Sequence, residues 1–280
     1  MEREQPTYKF EILLVTALAF CFPNIAQSKV EPMLSTQWGQ AGLWQQNTPL
    51  RNGFYTYPGC TTIAAAQILY YYKYQNQASS PVSYTLEYDG IIGPDVHDGV
   101  ISLNLTEYSY DWQEIAETEE DSPERIANAA EFIYHVGLTL NAQFGGGEGS
   151  SATGKQIENA FRYQWGYNNK SRRTMSIISK SAFLYSDSEW AQLIQNELDA
   201  GRPVLYMALQ VEKNAGHAFV IDGYREDGKV HVNWGWGGLY NGYYELETLE
   251  DHKGRRWSRE PMIFRALEPE PGYAKPETVQ

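Results

Sequence analysis

Gly59-Cys60-Thr61-Thr62-Ile63-Ala64-Ala65-Ala66-Gln67-Ile68-Leu69-Tyr70 is the stretch from which the rest of the chain is best understood. Pro58 and Gly59 break the backbone, and the alanine run that follows favours helix. Ile63, Ala66, Gln67, Tyr70 and Tyr74 recur at helical spacing. Cys60 therefore opens a helix, where unpaired N–H groups favour the thiolate form of its side chain. Taken alone, a single cysteine is more often an inert buried residue. A histidine in the right setting downstream reverses that reading.

Two later segments supply the setting. Gly216-His217-Ala218-Phe219-Val220-Ile221-Asp222-Gly223-Tyr224 places a histidine at the start of a strand, behind a glycine that leaves room beside it. His231-Val232-Asn233-Trp234-Gly235-Trp236-Gly237-Gly238 adds an amide, Asn233, suited to orienting an imidazole. Cys60 would attack a carbonyl as thiolate, and the His217 imidazolium would return the proton to the leaving amine. Cys60 and His217 lie 157 positions apart, a little more than the papain-type layout of roughly 130–150. The other histidines fit less well. His97 and His135 lack a glycine-cleared strand start, His252 sits in a charged loop, and His231 shares an alternation face with Asn233. No Cys-His spacing supplies a metal site, and Asp89, Asp95 and Asp98 match no calcium loop. One difficulty stands against Asn233. If Asp227-Gly228 closes a two-residue turn, Asn233 faces Asp222 rather than His217, so its role requires a bulge or a longer turn.

The 280 residues are 42% hydrophobic and 14% aromatic, enough for one sizeable domain that buries its core without disulfides. A net charge of −13 argues against nucleic acid or anionic lipid as a general partner. Residues 1–28 read as an export signal. Their apolar run, 12–22, is too short to span a bilayer, and small residues follow at Ala26 and Ser28, although Glu2, Glu4 and Glu11 outnumber Arg3 and Lys9. Its removal would take Cys21 away and leave Cys60 as a lone, reactive or intermolecularly paired thiol. The catalytic domain is expected over 29–267, with a flexible proline-containing tail over 268–280. Helices are expected over 123–140, 155–165 and 188–200, and short strands and turns over 75–122. The last third holds strands over 204–211, 217–224, 229–234, 243–246 and 262–267. Helices first and antiparallel strands later indicate an α+β fold of two packed lobes.

With these motifs side by side, the chain resembles the streptopain family of secreted bacterial cysteine peptidases. The resemblance runs from about Leu34 to Leu249 and takes in Trp38-Gly39-Gln40, Tyr110-Asp111-Trp112 and Gly201-Arg202-Pro203-Val204. It implies a papain-like fold, with Cys60 in an N-terminal helical lobe and His217 in a C-terminal antiparallel β-sheet lobe. It implies Cys60 and His217 as catalytic residues and Asn233 as orienter, with Trp234 shielding the His–Asn contact. Gln40 would join the Cys60 N–H at the oxyanion. Ser150, in a glycine-rich loop, and Gly216 match positions that contact substrate backbone. Two departures stand out. Only a few residues separate Ser28 from Leu34, where the family usually carries a long inhibitory propeptide, so that propeptide is expected to be separate or removed. Residues 29–36 would then form an ordinary N-terminal arm, and the chain would be active once its signal is lost. Near the C-terminus, Asp251-His252-Lys253-Gly254-Arg255-Arg256-Trp257-Ser258-Arg259 stands where the family tends to have a glycine-rich loop, so substrate subsites should differ. The expected function is an exported, monomeric cysteine endopeptidase acting on protein or peptide substrates without cofactor or metal. The alternatives are a catalytically silent papain-like binding module and a cell-wall peptide amidase using the same Cys-His pair.

Overall fold

The computed structural model describes residues 29–74, 78–145, 151–167, 175–181 and 184–269. The expected signal segment, Ser150 and the end of the tail lie outside them. Helix α1 (Cys60–Tyr72) starts at Cys60 behind Gly59, whose φ of 91° suits glycine. Apart from Cys60 and Tyr71, its residues are buried, so it is a central helix covered on every side. Helix α2 (Pro123–Thr139) packs on it. Ser122 caps α2 by accepting from the Arg125 N–H, and Pro123 occupies the first position. Gly137 allows the contact, since a Cβ there would lie 3.3 Å from Thr62 of α1.

Around these helices run short strands: β1 (Leu50–Arg51), β2 (Phe54–Tyr55), β3 (Val82–Thr85), β4 (Ile91–Ile92), β5 (Val96–His97) and β6 (Val100–Leu103). They pair as two small sheets, β2-β1-β4 and β3-β6-β5. The helix expected over 155–165 is shorter, α3 (Gly154–Asn159), and continues as one wide turn, Ala160–Gln164. Helix α4 (Asp187–Asp199) begins with a reciprocal Ser186–Glu189 capping box.

The rest is one antiparallel sheet of β7 (Ser176–Ser179), β8 (Val204–Leu209), β9 (Gly216–Tyr224), β10 (Val230–Asn233), β11 (Gly242–Tyr244) and β12 (Arg259–Arg265), in the order β11-β10-β9-β8-β12-β7. Only Gly216 of β9 is exposed, because both faces of that strand are covered. Ala218 and Val220 join the core built on α1, while Phe219 and Ile221 join the core containing Trp190 and Ile194 of α4. That alternation brings the start of β9 against the start of α1.

Residues 29–36 run along the far end of β9. Val30 and Tyr224 exchange two backbone hydrogen bonds of 2.9 Å, and the Met33 and Leu34 amides donate to the Asp222 carbonyl and carboxylate. Gly223 makes this possible, since a Cβ there would stand 2.7 Å from the Val30 carbonyl oxygen. Among the described residues no helix is long and apolar enough to cross a membrane.

Candidate active site

The β9–β10 connection decides where Asn233 and Trp234 fall. The Arg225 N–H donates to the Lys229 carbonyl, so the loop spans three residues, not two, and Val230 pairs with Tyr224. A bulge between His231 and Val232 then shifts the register, and Asn233 faces Val220. The longer loop and the bulge together move Asn233 two places closer to His217 than a two-residue turn would allow.

Beyond Asn233 the chain turns sharply at Gly235, with φ 71°. The Asn233 amide donates to the Thr36 carbonyl at 2.8 Å, and its side-chain oxygen accepts from the Gly235 N–H at 3.1 Å. The Gly237 N–H donates to the Trp38 carbonyl at 3.1 Å. Glycines are required at this junction: a Cβ on Gly39 would lie 2.9 Å from the Gly237 nitrogen, and one on Gly235 would lie 3.0 Å from Ile63 of α1. The Asn-Trp-Gly turn, the Trp38-Gly39-Gln40 segment and the first turn of α1 are thus packed together, with Gln40 half-buried in that assembly.

His217 opens β9 and is buried. Its Nε2 lies 3.0 Å from the Trp234 carbonyl oxygen. A carbonyl only accepts, so Nε2 carries the ring proton and Nδ1 is the basic nitrogen. The ring stacks on Trp236 at 5.0 Å, 20° from parallel, with Trp257 at 5.2 Å on another side. Burial drives the His217 pKa down to about 4. The Trp234 carbonyl opposes that shift, the nearby Arg255 charge adds to it, and Asp251 works against it.

Cys60 is half-buried at the helix start. The backbone N–H groups of Ala218, Thr61 and Cys60 itself reach its sulfur and favour the thiolate, but burial outweighs them and pushes the thiol pKa up. Ala218 directly follows His217, so the sulfur sits against the strand that carries the imidazole. For each group taken singly, burial disfavours the charged form that the expected thiolate–imidazolium pair requires. His217 is buried and Cys60 half-buried, so an ion pair here would form at the edge of the cleft and not in bulk solvent.

Asn233 also departs from its expected place. Its side chain braces the turn through Thr36 and Gly235, and the backbone of the next residue, Trp234, holds the imidazole. The Trp234 ring is buried and stacked against Trp236 at 5.2 Å, but its centroid is 6.2 Å from His217, so the nearer lid on the imidazole is Trp236. The repeated Trp-Gly of 234–237 supplies two aromatics, and the second lies closer to the imidazole than the first. Gly216, exposed, forms part of the rim of a cleft of about 730 Å³ beside His217. His231 lies elsewhere. Its Nδ1 meets the buried Asp222 carboxylate at 2.6 Å, and the other Asp222 oxygen holds the Leu34 amide of the N-terminal arm. Among the described residues no group of three or more His, Cys, Asp or Glu side chains could hold a metal. Asp95 instead accepts from the Tyr134 hydroxyl.

A family model for the Peptidase C10 family matches residues 38–244, a span holding Gln40, Cys60, His217 and the Asn-Trp turn. The chain belongs to the Peptidase C10 family. It is 33% identical over 233 residues to the thiol protease/hemagglutinin PrtT of Porphyromonas gingivalis, covering 79% of this chain and 25% of that protein. It is 31% identical over 193 residues to streptopain of Streptococcus pyogenes, covering 68% of this chain and 46% of that protein. The chain therefore spans less than half the length of either relative. Among solved structures, active wild-type interpain A of Prevotella intermedia, a cysteine protease, superposes with a TM-score of 0.73 at 27% identity, covering 85% of this chain and 94% of that one. A prointerpain A fragment superposes with a TM-score of 0.69 at 27% identity, covering 87% and 73%. The C10 chain described here has the two-lobed, papain-like α+β fold of interpain A, and its family places it among the cysteine peptidases.

Proposed function

We propose that this C10 chain is an exported cysteine endopeptidase in which Cys60 is the nucleophile and His217 its base. What supports the pairing above all is one contact: the sulfur of Cys60 lies against the amide of Ala218, the neighbour of His217. The second support is the Trp234 carbonyl at Nε2, which leaves Nδ1 as the atom that takes the thiol proton. Separating the two charges in a dry site is costly for each alone, and their mutual attraction offsets the cost when they form together. Sγ bonds to the substrate carbonyl carbon while Nδ1 holds the proton. The Cys60 N–H and the Gln40 side chain hold the oxyanion. As the tetrahedral intermediate collapses, the C–N bond breaks, His217 protonates the leaving amine, and an acyl-enzyme remains. Water, deprotonated by His217, then releases the acid. Trp234 and Trp236 keep solvent from the imidazole, Asn233 braces the turn that holds it, and Gly216 and Ser150 bind substrate backbone.

Digestion of casein by the reduced full chain, and loss of that digestion in Cys60→Ala, tests the assignment. Release of soluble cell-wall peptides with no cleavage of casein would instead make the substrate a cell-wall amide.

A further inference from the structure

The cleft beside His217 carries a charge pattern opposite to that of the whole chain, whose net charge is −13. Its walls bring together Lys213, Lys253, Arg255 and His252, and no carboxylate lines it among the described residues. Two acids next to lining residues in the chain, Asp251 and Glu212, are held by other partners. Buried Asp251 accepts from Arg255 Nε at 2.7 Å, from Trp257 Nε1 at 3.0 Å and from the amides of Lys253 and Arg255. Glu212 accepts from Arg256 at 2.7 Å. Lys213 and Lys253 are exposed, and among the described residues neither has an ion-pair partner.

Both lysines stand on braced backbone. Asp251 organises the 251–255 loop from within, and Gly254, at φ 70°, completes that turn. Arg259 donates to the Lys213 carbonyl and to the Asn214 side chain, fixing the opposite wall. The floor is aromatic. The Arg255 guanidinium lies 5.3 Å from both the Trp236 and the Trp257 ring centroids, and Tyr240 stacks on His252 at 3.5 Å. The recess thus combines aromatic rings with two exposed ammonium groups that have no ion-pair partner among the described residues.

The side of the scissile bond follows from the chemistry. His217 delivers its proton to the leaving amine, so the departing segment must pass next to the imidazole. His217 itself lines the basic cleft, and Arg255 is close enough to depress its pKa. Resting on the assignment of Cys60 and His217 as the catalytic pair, we propose that this cleft is a carboxylate-binding subsite for the leaving side of the substrate. The enzyme favours peptides with a negative charge within three residues after the cleaved bond. An aspartate or glutamate side chain and the C-terminal carboxylate of a short peptide share that chemistry.

Peptides with amidated C-termini, differing only in Glu, Gln or Lys at each of the three positions after the cleaved bond, separate the possibilities. A parallel Gln series carries a free C-terminal carboxylate. The full chain should cleave Glu peptides, or the free-carboxylate Gln peptides, with kcat/KM roughly three- to tenfold above amidated Gln peptides, and Lys peptides below them. The Glu-to-Gln or free-to-amidated ratio should fall toward one in Lys213→Ala/Lys253→Ala and at about 0.5 M salt. Ratios of one at all three positions, a ratio unchanged in the double variant, or Lys peptides cleaved faster than Glu peptides would each overturn the proposal. Failure to cleave any peptide, with Cys60 unreactive toward thiol reagents, would instead overturn the catalytic assignment and this proposal with it.

Discussion

Asn233→Ala separates a residue that orients the imidazole directly from one that braces the loop. In the structure its side chain is only 2% exposed, donates to the Thr36 carbonyl at 2.8 Å and accepts from the Gly235 N–H at 3.1 Å. Truncation leaves a buried carbonyl and a buried amide without partners. Each such orphan costs about 1–3 kcal/mol, so the loss should be roughly 2–6 kcal/mol. At about 2–4 °C per kcal/mol for a domain of this size, Tm should fall by at least roughly 4 °C. Urea unfolding in a Cys60→Ala background, which removes self-digestion, measures this directly. The midpoint should drop at an unchanged m value. In the active background kcat/KM should also fall, because the Trp234 carbonyl that holds His217 sits on the same turn. Stability unchanged within about 0.5 kcal/mol, alongside a large loss of kcat/KM, would mean that Asn233 acts on the imidazole itself, and the brace would be wrong.

Two further outcomes follow from burial. The kcat/KM profile should show an acid limb near pH 4, where buried His217 gains its proton, and an alkaline limb above the ordinary thiol value of about 8.5; an acid limb near 6.5 would mean a solvated imidazole. His135, buried and bonded through Nδ1 to the Tyr110 hydroxyl at 2.9 Å, is pushed down to about 4 by burial, so its contribution is complete above its unfolded value near 6.5 and is lost as pH falls toward 4. Roughly 3 kcal/mol of stability should disappear over that window, and urea titrations at pH 7 and pH 4.5 should show a smaller loss in His135→Gln; an equal loss would place the acid sensitivity elsewhere.

The two ends of the site were legible in the sequence because each is local. Gly59 ahead of an alanine-rich run sets the start of α1 at Cys60, and Gly216 ahead of an alternating run sets His217 at the start of β9. Ser122 ahead of Pro123 likewise marks a helix start that the structure keeps, and the helix expected from 188 begins one residue earlier, at Asp187, behind the Ser186–Glu189 capping box. What could not be read depended on pairing across the chain. The three-residue loop and the bulge at His231 are properties of the β9–β10 register, and nothing in Asp227-Gly228 distinguishes that loop from a tighter one. Strand β7 is four residues, Ser-Ile-Ile-Ser, at the edge of the sheet, and owes its place to its partner β12, far along the sequence. The burial that acts on Cys60 and His217 is of the same kind. A helix start is visible in sequence, whereas the sheet and tryptophans that exclude water are brought there by the fold. The position of Trp236 is not legible in the sequence, because strand alternation ends at Asn233 and the Gly235 turn then lays its ring over the imidazole.

The central claim, that Cys60 is a nucleophile activated by His217, is tested most directly by site-resolved mass spectrometry of labelling with an epoxide or iodoacetamide near pH 7. The raised thiol pKa means that a base must take the proton before the sulfur attacks. The account predicts rapid modification at Cys60 in the wild-type chain, and a drop of at least about tenfold in His217→Ala with peptide hydrolysis lost in parallel. Labelling of Cys60 at the same rate in both proteins would contradict it.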